Sequence, residues 1–263
     1  MSESRDMGAE ALHQAFDQAG RERIERIARV PDVAMRRALF GEELAQLGDL
    51  AALWSIDVLV REVLEGSTEA QGVYDGLYQP ELAGELLGEQ RLIRLKELAM
   101  EQAAHGAHHW LSSTEAAGAK REEKVDRPPD ERPLGVRRAD ARKARGAELE
   151  KLLSDPDPKV IEHLLDSPQI TETFVLKLAS KRPVRPDALV VITRHPRWFS
   201  RYGIKRALLL NPYLPSPHAH NLMLYLGAKD LDAFSKEPTV AGGLRASAAR
   251  LLRQRSRSSE PEQ

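Results

Sequence analysis

The chain has 263 residues, 30% charged and 41% hydrophobic, with a net charge of −1 and no cysteine. That length allows one large domain or two small ones, and the lack of cysteine excludes disulfides, thiolate zinc sites and cysteine catalysis. Its longest apolar runs, such as residues 188–192, fall far short of the roughly 18 residues a membrane span needs.

The opening MSESRDMGAEALHQ is polar and acidic, without the apolar core of a secretory signal. A cytoplasmic protein with no membrane insertion is therefore expected. Charge is uneven along the chain: residues 1–100 hold 11 Lys and Arg against 19 Asp and Glu, whereas residues 151–263 hold 18 against 11. An acidic front and a basic back imply two units with different partners, two halves that attract each other, or merely solvated helix faces.

Residues 1–112 read as an irregular, acidic helical domain. Leu12, Phe16, Ile24 and Ile27 recur at helical spacing. Pro31 opens a second helix with Met35, Leu39, Leu44 and Leu47 on its apolar face. The run DLAALWSIDVLVREVLE, residues 49–65, is the most apolar stretch and predicts the central helix of this half. Thr68–Gln71 offers a capping box. A short helix around 80–87 and a long one over 89–111 complete the domain.

Residues 113–133, rich in Gly, Pro and mixed charge with only Val125 as a large apolar residue, read as a flexible linker. A helix over 134–153 then opens a repeat. Pro158, Pro168 and Pro183 stand 10 and 15 residues apart, and Pro186, Pro196 and Pro212 stand 10 and 16 apart. A degraded third copy runs through Pro217, Gly227 and Pro238. Proline suits the first turn of a helix and not its interior, so each is expected to start one, and each unit to be a helical hairpin. In this register Ile170 aligns with Trp198, Phe174 with Tyr202, Leu176 with Ile204 and Lys177 with Lys205. A last helix, about 240–253, is expected to cap a repeat domain over 134–255, with residues 256–263 as a disordered tail.

The segments DPDPKVIEHLLDSP, ITETFVLKLASKRP and HPRWFSRYGIKRALLLNP resemble HEAT-like repeats of the leucine-rich-repeat-variant kind, found in bacterial proteins of unassigned activity. The resemblance covers roughly 134–253 and implies an α-solenoid with a binding role. Related proteins can carry a cysteine-ligated iron–sulfur cluster, which a chain without cysteine cannot hold. The expected fold is thus all-α: an irregular helical domain followed by a short α-solenoid.

The stretch HPRWFSRYGIKRALLLNP interleaves rings and cations, as single-strand nucleic-acid grooves do. The repeat register turns Trp198 and Tyr202 into packing residues and leaves the cations for function. Lys177, Lys181, Arg182, Arg194, Arg197, Arg201 and Lys205 are the candidate site for an anionic partner. Lys177 and Lys205, on neighbouring repeats, should form a ladder about 10 Å apart. A protein partner is expected, and nucleic acid, bound through phosphates in a DNA-glycosylase-like array, is the alternative.

Glu101, His105 and His109 recur every four residues, with His108 beside them, so one helical face could hold zinc. The spacing lacks the Glu of HExxH and is read as structural, and His218 and His220 are read as surface residues. With no GxSxG, P-loop or GxGxxG, and with Asp155 and Asp157 in turn and cap settings, no catalytic residue, metal or cofactor is expected.

Overall fold

A computed structural model of the chain describes residues 3–115, 132–153, 155 and 157–258. Among these residues it is all-helical, with no strand. The front helices are α1 (Glu3–Ala28), α2 (Val33–Gln46), α3 (Asp49–Glu65), α4 (Thr68–Tyr74), α5 (Leu82–Leu87), α6 (Glu89–Glu101) and α7 (His105–Leu111). After a 3₁₀ turn at Ser113–Glu115 come α8 (Leu134–Lys143), α9 (Gly146–Leu152), α10 (Pro158–Leu165), α11 (Glu172–Ser180) and α12 (Pro186–Arg194). The chain continues through α13 (Pro196–Phe199), α14 (Tyr202–Leu209), α15 (Ser216–Leu222), α16 (Ala228–Lys236) and α17 (Gly242–Ser258).

By its internal contacts the chain forms two compact units, and they are not the two halves of the sequence. Unit one joins residues 1–116 to 220–235 and 246–263; unit two holds 117–219 and 236–245. Residues 220–235 and the body of α17, expected to finish a repeat domain over 134–255, group instead with the front. The cause is burial and hydrogen bonding. Leu224, Tyr225, Leu231 and Phe234 are all buried. Asn221 Nδ2 donates to the Tyr78 carbonyl at 2.7 Å, Tyr225 donates to Asp75 at 2.7 Å, and Arg255 donates to the Leu226 carbonyl at 2.9 Å. Most of the expected linker, residues 116–131, lies outside the described residues, as do residues 259–263 of the expected tail; α17 itself runs on to Ser258.

The core of unit one is α3. Its apolar residues cover nearly its whole circumference, so it is buried on all sides, with Leu53, Trp54, Ile56, Leu59, Val60 and Val63 inside. It packs against α1, α4, α6 and α7. Two glycines let neighbouring helices lie close against α3: a Cβ on Gly20 would lie 2.9 Å from Val58 Cβ, and one on Gly106 would lie 3.1 Å from Asp57 Oδ1. Arg91 pairs with Asp49 at 2.9 Å and donates to the Leu44 and Leu47 carbonyls at 2.8 and 2.6 Å, satisfying acceptors at the end of α2. Asp32, not Pro31, caps α2, accepting from Met35 N at 2.8 Å, and Ser67, not Thr68, caps α4.

In unit two, α10 packs on α8 and α12, and α11 packs on α14. Pro158, Pro186 and Pro196 begin α10, α12 and α13, but Pro168, Pro183, Pro212 and Pro238 lie in connecting turns. Asp157 caps α10 by accepting from Lys159 N at 2.8 Å. Two expected single helices are broken. The 89–111 helix divides at Gln102–Ala104, where Ala103 has φ 51°, and the 134–153 helix divides before Gly146, with φ 53°.

Candidate functional site

The opening of the aromatic–cationic stretch is set by Pro196, which starts α13. This helix lasts one turn and stops at Ser200, and α14 restarts at Tyr202 with Arg201 as its N-cap. The restart decides which side chains turn inward. Trp198 and Phe199 are buried, and Trp198 Nε1 donates to the Leu165 carbonyl at 2.9 Å. Tyr202, expected in the core, is 46% exposed.

The same restart corrects the cation ladder. The inward stripe of α14 is Ile204, Lys205, Leu208 and Leu209, whereas that of α11 is Val175, Leu178 and Ala179. Burial therefore matches the two helices at an offset of 29 (Val175 with Ile204, Ala179 with Leu208), one more than the sequence register. Lys205 is only 7% exposed, and its Nζ lies 4.7 Å from the centre of the Phe199 ring. Its stem is buried and its charge rests on an aromatic face, so it does not line a surface with Lys177. In the corrected register the counterpart of Lys177 is Arg206, and both are exposed.

The other candidates divide by environment. Lys177 Nζ lies 5.5 Å from the Phe174 ring centre. The Arg197 guanidinium lies 4.3 Å from the Trp198 ring centre, and Arg201 lies 4.0 Å from Glu172. Arg194 ends α12 on an exposed position. Lys181 is half-buried, and its carbonyl accepts from Asn211 Nδ2 at 3.0 Å. Arg182 is exposed and donates to the Leu210 carbonyl at 2.5 Å. Lys181 and Arg182 thus belong partly to the turns that join the helices.

The histidines depart furthest from expectation. The break at Gln102–Ala104 removes Glu101 from the helix that carries His105, His108 and His109. Among the described residues no group of three or more His, Asp or Glu side chains is placed to hold a metal ion. His218 and His220, expected on the surface, are buried. His220 stacks on His109, ring centres 3.7 Å apart and planes 12° from parallel. Each Nε2 lies 3.0 Å from the other residue's carbonyl oxygen. A carbonyl only accepts, so both rings carry their proton on Nε2. Burial drives the His109 pKa well below its ordinary value and lowers that of His220 to about 4. Burial, then the charge of Arg250, also lowers His108.

Five of the chain's eight histidines, His13, His105, His108, His109 and His220, line one cavity of about 870 Å³ in unit one. Trp54 stands in its wall with the His13 ring edge-on at 4.2 Å. Beneath it Asp57 accepts from Ala107 N at 3.0 Å and pairs with Arg61 at 2.9 Å, which anchors the start of α7 on α3. Burial raises the Asp57 carboxyl despite these partners. Sequence reasoning passes over this cavity because its residues are scattered. The one available signal is Asp57 itself, the only charged side chain between residues 50 and 60.

Among the described residues the chain is thus all-helical, with exposed cations on several helices and turns of unit two and a histidine-lined cavity in unit one. No family model, curated protein or solved structure matches it.

Proposed function

We propose that the protein is a non-catalytic interaction scaffold acting in the cytoplasm, whose second unit, a short HEAT-like α-solenoid, takes an acidic protein surface. One observation carries this reading: Lys177, Arg182, Arg194, Arg197 and Arg201 are all exposed, in or beside helices that pack as α10 on α12 and α11 on α14. Arg197 is held in place by stacking on Trp198, which lowers the ordering cost of a contact. The Arg201–Glu172 pair at 4.0 Å is exposed on both sides and easily exchanged for a partner's carboxylate. Charge reversal at Arg197→Glu and Arg201→Glu together is expected to abolish co-precipitation of a stoichiometric protein from the native cell lysate. Equal recovery by this variant, or no stoichiometric protein with the wild type, refutes the scaffold.

The exposure of Tyr202 favours a second reading. Its ring is 46% exposed in a segment that also carries Arg201 and Arg206, the mix of rings and cations that single-strand nucleic-acid grooves present to bases and phosphates. Filter retention of mixed single-stranded oligonucleotides that falls steeply between about 50 and about 200 mM salt supports nucleic-acid binding; no retention at either removes it.

A further inference from the structure

The cavity of unit one plays no part in the scaffold reading. We infer that it is a binding site for a small aromatic anion: a planar ring bearing a carboxylate or phosphate group. Its volume, about 870 Å³, lies in the range of small-molecule pockets, roughly 300–1,000 Å³. Its histidines come from segments as far apart in sequence as α1, α7 and α15.

Charge selects an anion. Three guanidinium-bearing residues, Arg61, Arg250 and Arg253, line the cavity against one carboxylate, Asp57. Arg61 is committed to Asp57 and Asp17, at 2.9 and 2.5 Å. Arg250 donates to Ser247 Oγ at 2.8 Å, and neither it nor Arg253 has an acidic partner among the described residues. Arg250 lines the same cavity as His108, His109 and His220, and its positive charge disfavours their protonation. His108, His109 and His220 then present neutral rings with N–H donors and lone pairs, and the charge that Arg250 and Arg253 bring to the lining is cationic. A metal cation would meet repulsion there, whereas a carboxylate or phosphate would meet a forked donor. The flat surfaces select a ring: Trp54, with His13 against it, and the stacked His109–His220 pair.

Calorimetric titration of the full chain with phenyl phosphate, benzoate, inorganic phosphate and benzyl alcohol tests this. At least one of the first two is expected to bind once per chain and to quench tryptophan fluorescence; their relative affinity tells phosphate from carboxylate. Inorganic phosphate and benzyl alcohol should bind at least about tenfold more weakly. Arg250→Ala, an exposed position, should weaken the aromatic anion by about tenfold with an unchanged thermal midpoint, and Trp54→Phe should remove the quench while the binding heat persists. Arg201→Ala, in unit two, should change nothing, which keeps this site distinct from the scaffold face. The inference is overturned if neither aromatic anion saturates, if benzyl alcohol binds as tightly, or if Arg250→Ala has no effect.

Discussion

Acid is expected to act on the stacked pair His109 and His220. His220 has a folded-state pKa of about 4 against an ordinary 6.5, so above pH 6.5 both states are neutral and its contribution is fully present. Between pH 6.5 and 4 the unfolded chain takes up the proton first, and stability falls by about 3 kcal/mol in that window. The lowered His109 pKa acts in the same direction. Urea unfolding at several pH values should show this slope, and a His109→Phe/His220→Phe variant should flatten it; an equal slope in both would exclude the pair as its source. In unit two the contrast lies between two rings. Trp198→Ala, which empties a buried site and orphans the Leu165 carbonyl, should cost about 3–5 kcal/mol, whereas Tyr202→Ala, at an exposed position, should cost about 0.5 kcal/mol or less. Denaturant midpoints of the two variants check the difference. The burial of Trp198 is legible in the sequence because it shares a slot with Ile170. That of Lys205 is not, because the stop at Ser200 shifts the inward stripe by one residue and no residue type announces the shift.

Among the elements, a start with both a capping side chain and a proline is legible, a lone proline is not a dependable start, and breaks are not legible. Asp157 before Pro158 is a cap signature that needs no tertiary context. The division of 89–111 into α6 and α7 turns on Ala103, a strong helix former by propensity, held at φ 51°. Tertiary contact decides there: Asp57 captures the N–H of Ala107, and Gly106 lets α7 lie against α3. Gly106→Ala would put a Cβ 3.1 Å from Asp57 Oδ1 and 3.2 Å from Val60 Cβ, and should destabilise the protein by about 1–3 kcal/mol. Thermal unfolding measures this; a stabilised variant would mean that α7 has room to move. Arg91→Ala removes the donor of the Leu47 carbonyl, leaves the Leu44 carbonyl only the long bond from Leu47 N at 3.3 Å, and should cost about 1–3 kcal/mol, read by the same melt.

For the whole molecule, helical content is legible from periodicity and composition, but the membership of the two units is not. Periodicity places residues on helix faces and is silent on which distant helix covers them. Unit one needs Leu224, Tyr225 and Phe234 to complete its core. Residues 1–115 expressed alone should therefore bind a hydrophobic dye and melt without cooperativity, and should regain a sharp transition when mixed with residues 132–258. A cooperative, dye-silent fragment would show that the front folds by itself.

The discontinuity of unit one also orders events in time. A ribosome releases the chain from its N-terminus, so the last residues of unit two, 236–245, emerge before residues 246–258 that unit one still lacks. The inserted unit can close while the unit begun first stays open, with the apolar faces of α1–α7 waiting through the synthesis of more than a hundred residues. Such exposure is the condition under which nascent chains engage chaperones, and a stop codon anywhere before residue 246 would leave the first-made unit permanently unfinished.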